Sequence, residues 1–243
     1  MSVTMEKTVR DLALENSAAI GIFEQLGIDY CCGGGKTLGE ACRGAEVPME
    51  QVLERLEAAQ SKTNRSDAGR DWQSAPLAEL VAHIRHIHHE YVRSETARLG
   101  PLFDKVVQAH GANHPELAEM RGTFGALAEE LSSHLMKEEM VLFPYMIRLE
   151  EAASAGTSAP APPFGSVRNP VAMMVHEHDS AGQALRILRR DSNGYSAPAD
   201  ACVSLLSLYQ GLAAFEADLH QHIHLENNIL FPRAIALEQS LGK

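Results

Sequence analysis

Two stretches of the chain, HLMKEEMVLFP at residues 134–144 and HIHLENNILFP at residues 222–232, share the pattern H-x-x-x-E-x-x-[VI]-L-F-P and begin 88 positions apart. A histidine and a glutamate four positions apart stand on one face of a helix, one above the other. That spacing pairs His134 with Glu138 and His222 with Glu226. Apolar residues recur at helical spacing on the same faces: Phe124, Leu127, Leu131, Leu142 and Tyr145 in one copy, and Leu205, Leu208, Leu212, Phe215, Leu219 and Ile229 in the other. Both pairs therefore interrupt an apolar seam, where an uncompensated carboxylate is strongly unfavourable. A cation between the helices resolves the conflict, because it neutralises the carboxylates and takes neutral imidazole nitrogen as a ligand.

Two histidines and two glutamates make a poor cage for two ions, so other helices must contribute. In a third helical pattern the stripe Val171, Met174, Val175, His178, Ala181, Leu185 carries His178 in the seam and leaves His176 off it. In the histidine-rich stretch HIRHIHHEYVRSE the stripe Leu77, Val81, Ile84, His88, Tyr91 centres on His88. Two other features favour His89. The separations His89 to His134 and His178 to His222 are 45 and 44 residues, and an acid follows each of His89 and His178. The strict 88-residue register instead pairs His88 with His176, so the residues alone leave this ligand open. Two half-bundles related by approximate two-fold symmetry would give each ion two histidines, with Glu138 and Glu226 bridging the pair and positions left open. Mixed nitrogen and oxygen ligation with open positions suits iron, with manganese as the alternative, and predicts two-metal chemistry.

The elements that must position these groups read as helices throughout. Aromatics make up 5% of the chain and no run of alternating β-branched residues occurs, so the expected class is all-α. Short apolar-periodic pieces cover Val9 to Leu14, Ala18 to Leu26, Thr37 to Cys42 and Met49 to Ala59, with Gly27-Ile28 as a helix stop. The polar stretch SKTNRSDAGRDWQS, about residues 61–74, reads as a linker. Four long patterns follow at about 76–108, 115–150, 169–190 and 199–238, separated by breaker-rich loops, as in a four-helix bundle. The expected domains are a small cysteine-bearing helical domain at 1–62 and the bundle at 75–240.

A formal net charge of −11 without a Lys/Arg cluster argues against nucleic acid as a partner. No segment approaches the roughly 18 apolar residues of a membrane span, and the start lacks the pattern of a secretory leader, so a soluble cytoplasmic protein is expected. Four cysteines, two of them adjacent, suit free thiols in a reducing compartment.

At GIDYCCGGGKTLGEAC, DWQSAPLAEL, LSSHLMKEEMVLFP, HEHDSAG and HIHLENNILFP the sequence resembles the repair-of-iron-centres proteins of the YtfE/ScdA/DnrN type, over nearly the whole chain. The resemblance implies a hemerythrin-like bundle and a centre of two non-haem iron ions with an oxo or hydroxo bridge. Its ligands would match His89, His134, Glu138, His178, His222 and Glu226, which selects His89 over His88. His88 stands where the family often has Tyr, a departure that places an extra imidazole beside the site or at the surface. The implied role is repair of iron–sulfur clusters damaged by nitric oxide or peroxide, by supplying iron to damaged iron–sulfur proteins. The alternatives are a protein that binds or scavenges nitric oxide or O₂, and an enzyme that reduces nitric oxide at the paired ions. A homodimer is allowed.

Cys31 and Cys32 precede Gly33-Gly34-Gly35, which predicts two thiols in an exposed flexible turn, with roles in electron supply or iron transfer. A disulfide between neighbouring cysteines is strained and easily reduced. Cys42 and Cys202 read as small buried residues. His83, His86, His110, His114, His176, His220 and His224 are assigned to the surface or to the surroundings of the ligands; Glu90, Glu139 and Asp179 stand beside ligand candidates, where orienting an imidazole or moving a proton is one reading and a solvated helix face the more common one.

Overall fold

The computed structural model describes residues 6–62 and 70–242; residues 63–69 of the expected linker lie outside the described residues. By backbone contacts the chain forms two compact units, Met1–Ala75 with Ile223–Ile229 and Pro76–His222 with Leu230–Lys243. The regular elements among the described residues are helical.

The first unit starts with α1 (Val9–Glu15), α2 (Ser17–Leu26), α3 (Leu38–Gly44) and α4 (Met49–Lys62). Each of the first three begins where a side-chain oxygen satisfies an orphan backbone N–H. Thr8 accepts from Asp11, Asn16 from Ala18, and Thr37 with Glu40 forms a reciprocal capping box. Thr37 is thus a cap rather than the first helical residue. Gly27 ends α2 at φ 65°, and the Ile28 N–H returns to Phe23 O at 2.9 Å. Val9, Leu12, Phe23, Tyr30, Leu38, Val52 and Leu56 close a core between these helices.

Four rods make the bundle. The first is α5 (Leu77–His83), a π-helical turn (Ile84–His89) and α6 (Glu90–His110). The second is α7 (Glu116–Lys137), a π turn (Glu138–Leu142) and α8 (Phe143–Ala155). The third is α9 (Arg168–Asp191), and the fourth is α10 (Val203–Leu225), a π turn (Glu226–Leu230) and α11 (Phe231–Leu241). α6 packs on α7, α7 on α9, and α8 receives α5 and α11. Phe124 lies at the centre of the core, 5.4 Å from the Phe103 ring and 5.8 Å from the Phe215 ring.

Two of the π turns follow from the repeated Leu-Phe-Pro. Pro144 and Pro232 lack an N–H, and their rings crowd the carbonyl four residues back, which lies within the preceding turn. Widening that turn relieves the crowding without ending the rod. No proline accompanies the turn at Ile84–His89. The wider turn shifts the register of the residues that follow it, and both His88 and His89 are buried.

Candidate metal centre

The π turns place the chemistry. Glu138 and Glu226 are the first residues of their turns, and His89 is the last of the other. His134, on the last turn of α7, precedes Glu138 by one turn, and His222, near the end of α10, precedes Glu226 likewise. His178 comes from the middle of α9. All six side chains are buried, the two glutamates completely.

Their donor atoms gather into two groups, His89, Glu138, His222, Glu226 and His134, Glu138, His178, Glu226, each within 4.8 Å. Both carboxylates are common to the two groups, and each group adds two imidazoles. The rings within each group lie close, His89 to His222 at 4.9 Å and His134 to His178 at 4.8 Å between centroids.

The surroundings of Glu138 test whether a cation belongs here. Neither carboxylate oxygen receives a hydrogen bond. The neighbours are imidazole nitrogens, His134 Nε2 at 3.3 Å and His89 Nε2 at 3.5 Å. His134 Nε2 also faces His178 Nε2 at 3.1 Å. A buried carboxylate ringed by nitrogens turned toward it is an unfavourable set of neighbours until a cation joins them. The donor set, four imidazoles and two carboxylates without thiolate, fits iron or manganese better than structural zinc.

The outer faces of the imidazoles are held by acids. His89 Nδ1 lies 2.7 Å from Glu139 Oε1, and His134 Nδ1 lies 2.8 Å from Glu177 Oε2. An ionised carboxylate only accepts, so each Nδ1 carries the proton and each Nε2 is left unprotonated, with its lone pair available to a cation. Burial pushes the Glu139 carboxyl up, but hydrogen bonds from His89 and Arg93 outweigh it and hold the group below its ordinary value. Glu177 is likewise pushed up by burial and brought down further by Lys137 and His134. Of the two readings of Glu139, the structure has it holding the imidazole of a candidate ligand, and Glu177 is a second such clamp that helical periodicity does not disclose. The available signal was an acid directly beside Glu138 in one case and beside His178 in the other.

Other assignments fare unevenly. His86 is exposed and pairs with Glu90 at 3.1 Å. His88 does not face solvent: it is 3% exposed and its Nδ1 donates to Asp218 Oδ1 at 2.9 Å. His224 is buried rather than at the surface, and burial pushes its imidazole down to about 4. Cys42 is buried as expected, whereas Cys202 is exposed, because it precedes α10 at the end of a loop instead of lying inside the helix.

The expected loose, exposed thiol turn is also corrected. Cys31 is buried, and Asp29 Oδ1 accepts from the N–H groups of Cys31, Cys32 and Gly33 at 3.2, 2.9 and 2.9 Å, which fixes the turn. A Cβ on Gly34 would come within 2.9 Å of Tyr30 O, so the close-packed chain requires glycine there. The two thiol sulfurs stand 3.8 Å apart, and with Asp29 they form a third cluster of possible metal donors. The Cys32 thiol contact, followed by burial, pushes the Cys31 thiol well above its ordinary value.

Comparison with known proteins accords with this geometry. The Hemerythrin HHE cation binding domain matches residues 81–234, and the ScdA_N domain (DUF542) matches residues 5–60. The chain is 36% identical over 234 residues to the iron-sulfur cluster repair protein YtfE of Escherichia coli (strain K12 / DH10B), covering 96% of this chain and 98% of that protein. It is 34% identical over 230 residues to the protein of the same name from Pectobacterium atrosepticum, covering 95% and 97%.

Proposed function

The chain belongs to the hemerythrin HHE cation-binding family, and from that premise we propose that it is an iron-sulfur cluster repair protein that supplies iron to damaged clusters. The bundle, residues 75–240, holds two non-haem iron ions with an oxo or hydroxo bridge. His89 and His222 ligate one ion, His134 and His178 the other, and Glu138 and Glu226 serve both. The observation that carries this reading is the sharing of two fully buried carboxylates between two groups of donors. Iron when bound supplies open coordination positions for a small diatomic ligand, nitric oxide or O₂. The protein's own groups do the rest. Glu139 and Glu177 keep the Nδ1 protons of His89 and His134 in place, and the apolar seam keeps water out.

In this reading the small domain, residues 1–62, acts through Cys31 and Cys32, which pass iron or electrons. Its setting in this reading is the reducing cytoplasm during nitrosative or oxidative stress, where thiols such as these stay reduced.

Metal analysis and reactivation assays test the proposal together. Wild type should hold two irons per chain and restore a nitric-oxide-damaged iron–sulfur enzyme, while Glu138→Ala and Glu226→Ala should lose both properties. Replacing Cys31 and Cys32 by Ala should abolish repair and leave iron in place. Equal repair by iron-free protein would overturn iron supply. Formation of N₂O by the iron-loaded protein would point instead to reduction of nitric oxide.

A further inference from the structure

The two halves of the bundle are alike in the residue types of the candidate ligands and unlike in several of their neighbours, Glu139 standing opposite Asn227 among them. The residue before His178 is Glu177, which holds the His134 imidazole. The residue before His89 is His88, which holds no ligand and is itself held by Asp218. Asp218 lies four residues before His222, and its counterpart four residues before His134, Glu130, is exposed. The two-fold symmetry thus fails at the His88–Asp218 pair, next to one of the two metal positions.

His88 has the arrangement of a ligand. Like His89 and His134, it gives its Nδ1 proton to a carboxylate. Its Nε2 is buried and has no hydrogen-bond partner, and neither has Asp218 Oδ2. Leaving a buried imidazole nitrogen and carboxylate oxygen bare is unfavourable, and a visiting cation satisfies both kinds of atom. The ring stacks on His222 at 5.7 Å and 9°, and its other neighbour, His83, stands 5.6 Å away at 81°. These spacings are only slightly longer than the 4.8 and 4.9 Å between the ring pairs at the centre. His83 is less buried than His88, so the series His83, His88, His222 runs inward. Burial, then His88, pushes the His83 imidazole below its ordinary value, which favours the neutral form that binds metal.

We propose that His83 and the His88–Asp218 pair form a transit path by which ferrous iron enters and leaves the metal position built from His89 and His222. The proposal rests on the iron-supplying role above and names which ion is supplied. An ion leaving a dry cage must otherwise give up all its ligands before reaching water, with a large desolvation barrier in reverse. Stepping to a neighbouring neutral nitrogen exchanges one iron–nitrogen bond for another, with no change of oxidation state and no proton released. In the other half the residue matching His88 is Glu177, already engaged by His134 and Lys137, so the ion at the His134 and His178 position is the one retained.

The test is the rate of ferrous ion release to a chromogenic ferrous chelator, and of uptake by iron-free protein, under anaerobic conditions. Wild type should release its two ions with two rate constants. In His88→Gln, and separately in Asp218→Asn, the faster constant should fall by at least about tenfold, with the slower one unchanged. The final iron count and the far-ultraviolet circular dichroism should match wild type, which separates a slowed path from a misfolded chain. Added imidazole should restore fast release in His88→Gly. Equal release of both ions from wild type, or unaltered rates in the variants, overturns the path. Loss of one ion at equilibrium would make His88 a permanent ligand and also overturns it. If wild type itself holds no iron, the failure belongs to the proposed function and appears before any variant is compared.

Discussion

Glu150 and Glu238, 88 residues apart, do the same task at opposite ends of the internal repeat. Glu150 accepts from the N–H groups of Leu77 and Ala78 at 2.6 and 3.0 Å, capping the start of α5. Glu238 accepts from the Val167 N–H at 2.9 Å, and from the hydroxyls of Ser166 at 2.6 Å and Tyr145 at 2.7 Å, capping the start of α9. The end of each even-numbered rod thus supplies a negative charge to the start of the rod before it, where orphan N–H groups and the helix dipole favour one. Burial pushes the Glu238 carboxyl up, but its donors outweigh burial and hold it below its ordinary value. A carboxyl lowered by folding stabilises the protein above its unfolded value and loses that contribution as pH falls through its folded value. Glu238→Gln should therefore destabilise by about 1–3 kcal/mol near neutral pH, with a deficit that shrinks below about pH 4. Urea unfolding of both proteins at the two pH values checks it, and a deficit that does not change with pH would contradict it.

The cluster of buried donors is a burden on the iron-free chain. Glu138 lies fully buried with no hydrogen bond to either oxygen. Replacing such a charge by a neutral side chain of similar shape removes the cost of keeping it out of water. Iron-free Glu138→Gln should accordingly melt above iron-free wild type, while iron should raise the midpoint of wild type far more than that of the variant. Differential scanning calorimetry with and without ferrous ion gives both comparisons. A variant that melts lower in both states would show that the carboxylate stabilises the fold by itself.

Much of this architecture was legible in the residues. The H-x-x-x-E copies marked Glu138 and Glu226 because an acid inside an apolar stripe at helical spacing is rarely tolerated without a compensating charge, and His178 stood out within its own stripe. The four rods were readable from breakers and periodicity, to within a few residues at the ends. The choice between His88 and His89 on the first rod was not, because periodic reading assumes a constant 3.6 residues per turn and the turn at Ile84–His89 departs from it. The roles of Glu177 and Asp218 were hidden for a different reason. Each acts across helices on a residue far away in sequence, and an acid on a helix face looks the same whether it meets water or an imidazole. The burial of Cys31 depends on the Asp29 turn, which a run of three glycines disguises as slack.

Glu139 and Glu177 offer a way to weaken the two proposed metal positions separately. Each holds the Nδ1 proton of one imidazole, Glu139 at His89 and Glu177 at His134, and so keeps Nε2 turned inward. Glu139→Ala should lower iron affinity at the His89 and His222 position by about 10–100-fold, and Glu177→Ala should do so at the other. Titration against a competing chelator should show one site weakened in each variant and both in the double variant. Uniform weakening of both sites by either single change would mean that the clamps act through the shared carboxylates instead.

Cys202 should be the most reactive thiol of the chain. It is exposed at the start of α10, and its sulfur lies 3.0 Å from His110 Nε2. Hydrogen bonds from the Leu205 N–H, then from His110, bring the thiol down to about 7. The helix N-terminus adds to this, since its dipole favours the thiolate. Cys31, by contrast, is buried and pushed up by its contact with Cys32, and Cys42 is buried. Iodoacetamide should therefore modify Cys202 first, with a rate that rises with pH through a midpoint near 7. In His110→Ala the midpoint should move upward toward the ordinary thiol value, and the rate at neutral pH should fall severalfold. Peptide mass spectrometry over a pH series reads both effects. Equal labelling of Cys31 and Cys202 at neutral pH would mean that neither burial nor the helix start governs their reactivity.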